Sequence, residues 1–165
     1  MILDLKGLFS GSVKSQDINI ELDMSDTEYY GNFPIDEPVK VKGSVFNKAD
    51  VVNLKLNIAY DFSAPCDRCG VETVSKCSFE LERQLATSIE GEQSDTIITV
   101  PDMKLDVDEL IFSEVFLSLP TKHLCKETCK GICLKCGKNL NEGDCSCDHR
   151  EIDPRLAKLK ELLED

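Results

Sequence analysis

The sequence predicts an α+β fold: a mainly antiparallel, barrel-like β-sheet domain, followed by a helix, a cysteine-rich module and a short C-terminal helix. Three observations support this prediction. Alternating apolar and polar residues fill most of the first hundred positions, helical signals begin only near residue 106, and six of the nine cysteines lie between residues 125 and 147. We expect two domains: residues 1–120 form the sheet and its helix, and residues 121–165 form the cysteine-rich module and the terminal helix.

The strands are predicted from the alternation of residue type along the chain. It is clearest where five apolar residues share one face: Val52, Leu54, Leu56, Ile58 and Tyr60. Weaker alternation predicts strands in residues 1–9, 13–23, 38–49 and 71–88, and residues 96–100 predict a short further strand. Residues 47–50 predict a hairpin turn, and residues 24–37 and 90–95 predict polar loops.

Two helices are predicted from their capping residues. Asp106 with Glu109 resembles a capping box, and Pro120 is expected to end the helix that follows. Near the C-terminus, Asp153 is expected to cap a second helix with Pro154 at its first position. The leucine stripe of this helix predicts docking onto the sheet or the cysteine-rich module, with binding to a partner as the alternative: Leu156, Leu159, Leu162 and Leu163.

The charge of the chain limits its binding partners. The net charge is -12, from 19 basic and 31 acidic residues, so broad binding to phosphate backbones is unfavourable and basic proteins are better partners. Residues 121–150 are the exception, because they carry six Lys/Arg against four acidic residues. The sequence shows neither a signal peptide nor a membrane-spanning apolar run, so we expect a cytoplasmic protein that does not associate with a membrane.

The pattern C-x-x-C-G occurs twice, as CDRCG at residues 66–70 and as CLKCG at residues 133–137. Two thiolates at this spacing typically bind one metal from a tight turn, and a structural zinc needs four ligands. A second pair, in CSC, follows the later copy after a spacer rich in Asn and Gly. The sequence therefore predicts a Zn²⁺ site formed by Cys133, Cys136, Cys145 and Cys147, since disulfides rarely persist in the cytoplasm.

The earlier copy has no second pair beside it. Cys66 and Cys69 would form a second, weaker zinc site with the two unassigned thiols Cys125 and Cys129, or would make only a local turn. Cys77 is predicted to be a buried thiol within a strand. The two histidines, His123 and His149, are expected at the surface, with a role as substitute ligands as the alternative.

Three segments together closely resemble the YceD family, whose members are described as large-ribosomal-subunit RNA accumulation proteins. They are CDRC, LCKETCKGICLKCGKNLNEGDCSC and IDPRLAKLKELL. The resemblance implies a bacterial or organellar cytoplasmic protein that is needed for normal levels of large-subunit ribosomal RNA. The family's first cysteine pair falls on Cys66 and Cys69, with Arg68 between them. Its C-terminal cysteines fall on Cys133, Cys136, Cys145 and Cys147, with Cys125 and Cys129 upstream.

We therefore expect a non-enzymatic factor for ribosomal RNA accumulation or large-subunit assembly, with structural zinc. Its expected partner is precursor ribosomal RNA or a basic ribosomal protein, and no small-molecule substrate is expected. The sequence contains no nucleophile elbow, phosphate loop or dinucleotide-binding fingerprint. The alternative is a thiol-based redox or metal-sensing protein that uses Cys66 and Cys69.

Overall fold

The computed structural model describes residues 1–88 and 95–147. The predicted C-terminal helix and His149 lie outside these residues. The described chain contains two helices, α1 (Lys6–Phe9) and α2 (Val107–Ser118). Its strands are β1 (Ile2–Asp4), β2 (Ser15–Leu22), β3 (Val39–Lys48), β4 (Val51–Pro65), β5 (Glu72–Ala86), β6 (Ile97–Thr99) and β7 (Lys104–Asp106).

The main sheet has the strand order β2-β3-β4-β5-β6. All neighbours are antiparallel except β5 and β6, which run parallel. Strands β1 and β7 form a separate antiparallel pair. The sequence-based expectation of an antiparallel-dominated sheet is confirmed. The barrel-like closure is not found in the described residues, because β2 and β6 form opposite edges of the sheet.

The hydrophobic core lies on one face of this sheet. The alternating side chains of β4 from Val52 to Tyr60 are buried as predicted, and Phe62 continues the pattern, while the side chains between them are more exposed. Helix α2 packs on the same side through Val107, Ile111 and Val115, which are fully buried. The Asp106 carboxylate accepts hydrogen bonds from the backbone N–H groups of residues 108 and 109, so the predicted helix cap is confirmed.

The turn between β3 and β4 is the hairpin turn expected at residues 47–50. Ala49 and Asp50 both have positive φ angles, 52° and 64°, as a two-residue turn of the left-handed type requires. The prediction of a strand over residues 1–9 is only partly right, because residues 6–9 form a short helix. That turn of helix places Leu5 and Leu8 on one side, and both are buried in the core.

The longest hairpin, formed by β4 and β5, positions the first cysteine pair. The ladder ends with Pro65 opposite Glu72, and the N–H of Cys66 continues it by donating to the carbonyl of Val71 at 2.9 Å. Among the described residues no helix is long and apolar enough to cross a membrane. The division at residues 120 and 121 stays a prediction; backbone hydrogen bonds cross it, since the N–H of Asp67 donates to the carbonyl of His123 at 2.9 Å.

Candidate metal centres

The structure gathers eight cysteines into two groups. We call Cys66, Cys69, Cys125 and Cys129 the first tetrad, and Cys133, Cys136, Cys145 and Cys147 the second tetrad. In each, the four sulfur atoms lie within 4.8 Å of one another. These are the two groupings that the sequence suggested, including the pairing of the sheet's CDRC motif with Cys125 and Cys129.

The sulfur–sulfur distances of the first tetrad fit a tetrahedral metal site. Cys66 Sγ lies 3.9 Å from Cys129 Sγ, and Cys69 Sγ lies 3.7 Å from Cys125 Sγ. Four sulfurs around a zinc at bonds of about 2.3 Å would be separated by about 3.8 Å. A disulfide would need about 2.05 Å, and all nine cysteines are free thiols. The residues present therefore fit a tetrathiolate metal.

The two C-x-x-C-G motifs fold into the same turn. In the first, the N–H of Gly70 donates to the carbonyl of Cys66 at 2.8 Å; in the second, the N–H of Gly137 donates to the carbonyl of Cys133 at 2.8 Å. Both glycines have positive φ, 70° and 74°, which a side chain would disfavour. The turn points backbone N–H groups at the first sulfur of each motif.

Backbone N–H groups stabilise a thiolate at the first cysteine of each motif. The backbone N–H of Cys125, with those of Arg68 and Cys69, lowers the pKa of Cys66 to about 6. Likewise the backbone N–H groups of Cys136 and Lys135 lower the pKa of Cys133 to about 6. Both sulfurs are therefore prepared to act as anionic ligands near neutral pH.

The opposite shift occurs elsewhere in each tetrad. Burial, helped by hydrogen bonds to neighbouring sulfurs, raises the pKa of Cys125 to about 12. The hydrogen bond between Cys147 and Cys136 and the loss of solvent raise the pKa of Cys147 to about 12. Four sulfurs this close do not all ionise together without a cation between them, and a divalent metal removes that obstacle.

Three polar side chains brace the first tetrad. The Asn141 amide donates to Cys129 Sγ at 3.3 Å, and its Oδ1 accepts from the N–H of Lys130 at 3.0 Å. Burial acts to raise the pKa of Cys129, but Asn141 and the N–H of Gly131 outweigh it, so this pKa is lowered. The Arg68 guanidinium donates to the carbonyl of Cys129 at 2.8 Å, and the Asp67 carboxylate accepts from the N–H of residue 123 at 2.7 Å.

Sequence reasoning did not identify Asn141 or Asp67 as parts of the site. Each lies inside a motif or spacer whose polar residues were taken to form turns. Asp67 and its partner are 56 positions apart along the chain, and Asn141 and Cys129 are 12 positions apart. The only local signal for Asn141 is its place in the spacer GKNLNEGD between the two cysteine pairs of the second tetrad.

The expectation that His123 lies at the surface is wrong. Its side chain is only 6% exposed, packs edge-on against Phe62 and has its Nε2 2.7 Å from the hydroxyl of Thr73. It belongs to neither tetrad, and its contacts with Phe62 of β4 and Thr73 of β5 connect the cysteine segment, residues 121–147, to the sheet. Cys77 is partly buried in β5, and burial raises its pKa; it too lies outside both tetrads.

A tetrahedral metal held by all four cysteines of a tetrad would have no coordination position left for water or substrate. Such closed sites are typical of structural rather than catalytic metals. The fold and the site together define an antiparallel-dominated sheet protein with two four-cysteine clusters that could each hold a metal ion.

Comparison with known proteins identifies the family. Residues 54–163 match the family described as "Large ribosomal RNA subunit accumulation protein YceD". The chain belongs to the YceD family, as its cysteine motifs suggested.

Among curated relatives, the chain is 26% identical over 164 residues to "Large ribosomal RNA subunit accumulation protein YCED homolog 1, chloroplastic" of Arabidopsis thaliana, covering 81% of this chain and 51% of the relative. It is 33% identical over 82 residues to the Zea mays protein of the same description, covering 46% and 28%. An uncharacterized protein of Mycobacterium tuberculosis is 36% identical over 74 residues, covering 45% and 35%. The chain thus spans about half the length of the Arabidopsis relative and less of the others. No solved structure gives a significant match.

Proposed function

We propose that the chain is a non-enzymatic, cytoplasmic factor that supports the accumulation of large-subunit ribosomal RNA or the assembly of the large subunit. The observation that carries this proposal is the family match over residues 54–163. The names of the plant relatives describe large-subunit RNA accumulation for those proteins. We extend that role to this chain.

We propose that each tetrad holds one Zn²⁺. An all-thiolate set at the separations found in the first tetrad favours zinc over hard cations, which prefer oxygen ligands. The closed coordination supports a structural role: the first zinc fixes the cysteine segment to the tip of the β4–β5 hairpin. The thiol-redox alternative is less favoured, because Cys66 is 2% exposed and has Cys129 Sγ 3.9 Å away in addition to Cys69.

The cysteine segment also carries the basic residues that suit contact with RNA. We call three of its exposed lysines the basic rim: Lys126, Lys130 and Lys135. Phosphate contacts depend on Lys and Arg, and the rest of the chain is strongly acidic. We propose that this basic rim contacts precursor RNA while the acidic sheet domain contacts a basic ribosomal protein.

The test is sedimentation with precursors of the large subunit across a salt series. The triple variant Lys126→Gln, Lys130→Gln and Lys135→Gln is expected to release from precursors at lower salt than the parent, with two zinc ions per chain retained. The matched control changes three exposed lysines of the sheet instead: Lys40→Gln, Lys42→Gln and Lys76→Gln. If both variants are released from precursors at the same salt concentration, the basic rim does not contact the RNA.

The ribosomal role is tested separately by deletion of the gene. Levels of large-subunit RNA are expected to fall relative to small-subunit RNA and to recover with the parent chain. Normal large-subunit RNA without the protein, together with a parent chain that does not sediment with precursors, would contradict the proposed function.

A further inference from the structure

One surface of the molecule combines exposed aromatic rings with unbalanced negative charge. We call it the aromatic–acidic face and define it as residues 23–37 and helix α2. All four aromatic side chains that are exposed in the structure lie on it: Tyr30, Phe33, Phe112 and Phe116. The masked residues contain no Phe, Tyr or Trp, so this concentration holds for the whole chain.

Ring contacts join the loop and the helix into one continuous surface. Tyr29 meets Tyr30 with ring centroids 4.6 Å apart and meets Phe116 at 5.9 Å, both edge-to-face. Phe116 in turn stacks on Phe112 at 6.3 Å. Beside Phe112, residues 23–27 border an open recess of about 310 Å³. Tyr29, Tyr30, Phe112 and Phe116 therefore form one contiguous patch, and Phe112 borders the recess.

Tyr30 is held in an exposed position at a conformational cost. It sits in a two-residue turn closed by paired hydrogen bonds between Tyr29 and Asn32, at 2.8 and 3.1 Å. Its φ is 50°, a region that suits Asn or Gly far better than a bulky aromatic residue. The ring is nevertheless 83% exposed, so folding gains little from it. A partner that buries the ring would supply the stabilisation that the folded chain alone does not gain from it.

The charge of the face is entirely acidic. Residues 23–37 and α2 contain eight Asp/Glu and no Lys or Arg. Glu114 pairs with Arg83, and Asp108 with the amino group of Met1. The other six form no ion pair within residues 1–88 and 95–147: Asp23, Asp26, Glu28, Asp36, Glu37 and Glu109. Such a surface repels nucleic acid and attracts cationic groups.

We propose that the aromatic–acidic face docks a Lys/Arg-rich protein segment that also carries apolar anchors. The rings receive the apolar side chains and the faces of guanidinium groups, and the surrounding carboxylates pair with the cations. The proposal rests on the proposed function, for which it supplies a specific surface for a basic ribosomal protein. RNA is disfavoured as the occupant because the rings lie among carboxylates, and neither residues 23–37 nor α2 contain a Lys or Arg that could pair with phosphate.

The test measures binding of a fluorescein-labelled amphipathic peptide of Lys, Arg and Leu to the full chain by fluorescence anisotropy. The decisive variant is Tyr30→Asn. It removes the ring but creates an Asn-Gly turn, which suits the backbone, so stability is expected to hold or rise. Affinity is expected to fall about tenfold, as for loss of a central aromatic anchor. The pair Phe112→Ser and Phe116→Ser is expected to lower it at least as much.

The electrostatic part of the proposal has its own variant. Asp23→Asn, Asp26→Asn and Glu28→Gln together are expected to weaken binding at low salt and to reduce its salt dependence. The matched charge control changes three exposed acids elsewhere: Asp17→Asn, Glu21→Gln and Glu72→Gln. The matched apolar control changes two exposed residues elsewhere, Val74→Ser and Leu134→Ser. Both controls are expected to bind as the parent does.

Several results would overturn the proposal. The first two are no binding of the peptide by the parent chain and an equal loss of affinity in the control variants. The third is that a poly(U) oligonucleotide binds the parent more tightly than the peptide does and that Tyr30→Asn weakens its binding. The fourth is peptide binding that appears only when residues 148–165 are removed. The last would make the chain's own C-terminal segment the occupant. If the parent chain sediments with precursors but does not bind the peptide, the docking proposal is contradicted and the proposed function is not.

Discussion

Each tetrad consists of four cysteines and contains the same C-x-x-C-G turn, but the two tetrads connect the chain in different ways. In the first, Cys66 and Cys129 are 63 positions apart and Cys69 and Cys125 are 56 apart, so the tetrad joins the sheet to the cysteine segment. The second is closed within residues 133–147. In the first, Cys66 and Cys129 are both buried, whereas Cys136 of the second is exposed.

This difference assigns the tetrads different physical tasks. A crosslink that closes a loop of roughly 60 residues removes more freedom from the unfolded chain, about 4 kcal/mol against about 3 kcal/mol for a loop of about ten. The first tetrad is also braced by Asn141 and Arg68. Because this bracing pre-positions the sulfurs, we expect the first tetrad to hold its metal more tightly, the reverse of the order that the sequence suggested. We expect the second tetrad to act mainly within its own segment.

The largest expected effect is that of Cys66→Ser. Zinc content should fall from two to one per chain, as counted by native mass spectrometry. The melting temperature should fall by roughly 10 °C or more. The metal crosslink closes a long loop, and its loss lowers the free energy of unfolding by about 4 kcal/mol.

The control for this prediction is Cys77→Ser, which changes a partly buried thiol outside both tetrads and should keep both metals. If the Cys66→Ser protein still carried two zinc ions, the first tetrad would not be a metal site.

A smaller, local effect is expected for Cys136→Ser. Zinc content should again fall to one, but hydrogen exchange should accelerate mainly within residues 133–147. Sheet amides should keep their protection, because stability is lost only in the local unit. Global loss of protection across β4 and β5 would show that the second tetrad supports the whole fold and would erase the contrast between the two.

The smallest effect is expected for Asn141→Asp, which links the tetrads. The change keeps an acceptor for the N–H of Lys130 but replaces the donor to Cys129 Sγ with a negative oxygen. Affinity for the metal of the first tetrad should fall about tenfold, as for loss of a supporting hydrogen bond, in competition with a chelator. Asn57→Asp on the exposed face of β4 is the control.

A double-variant cycle sharpens this third prediction. In the Cys136→Ser background the segment that positions Asn141 is expected to be disordered, so Asn141→Asp should have little further effect. Equal effects in both backgrounds would mean that Asn141 acts independently of the second tetrad.

The sequence predicted those features that depend on local pattern. Alternation located β2 to β5, the residues around Asp106 located α2, and the repeated C-x-x-C-G indicated two groups of four thiols. The sequence offers Cys125 and Cys129 as the remaining ligands for Cys66 and Cys69, and the sulfurs of Cys66 and Cys129 do lie close together. Metal occupancy of either group stays a prediction.

Features that depend on distant contacts could not be predicted. His123 is buried because Asp67 pairs with its backbone and Phe62 packs against its ring, and both partners lie on a different part of the chain. The aromatic–acidic face was also missed, since residues 23–37 read as an ordinary polar loop. Its rings form one surface only because the fold brings Tyr29 against Phe116.

The long separation within the first tetrad also has a consequence for the growing chain. Cys66 leaves the ribosome 63 residues before Cys129, an interval of roughly 3 to 13 s at ordinary rates of synthesis. A β-hairpin forms within about 10 μs, so β4 and β5 can pair long before the remaining ligands exist. For those seconds the hairpin tip presents a two-thiol half-site, which supplies only two of the four ligands that a structural zinc needs. Arrival of Cys125 and Cys129 would close the half-site, so tight capture of a metal would wait until residue 129 has been synthesised.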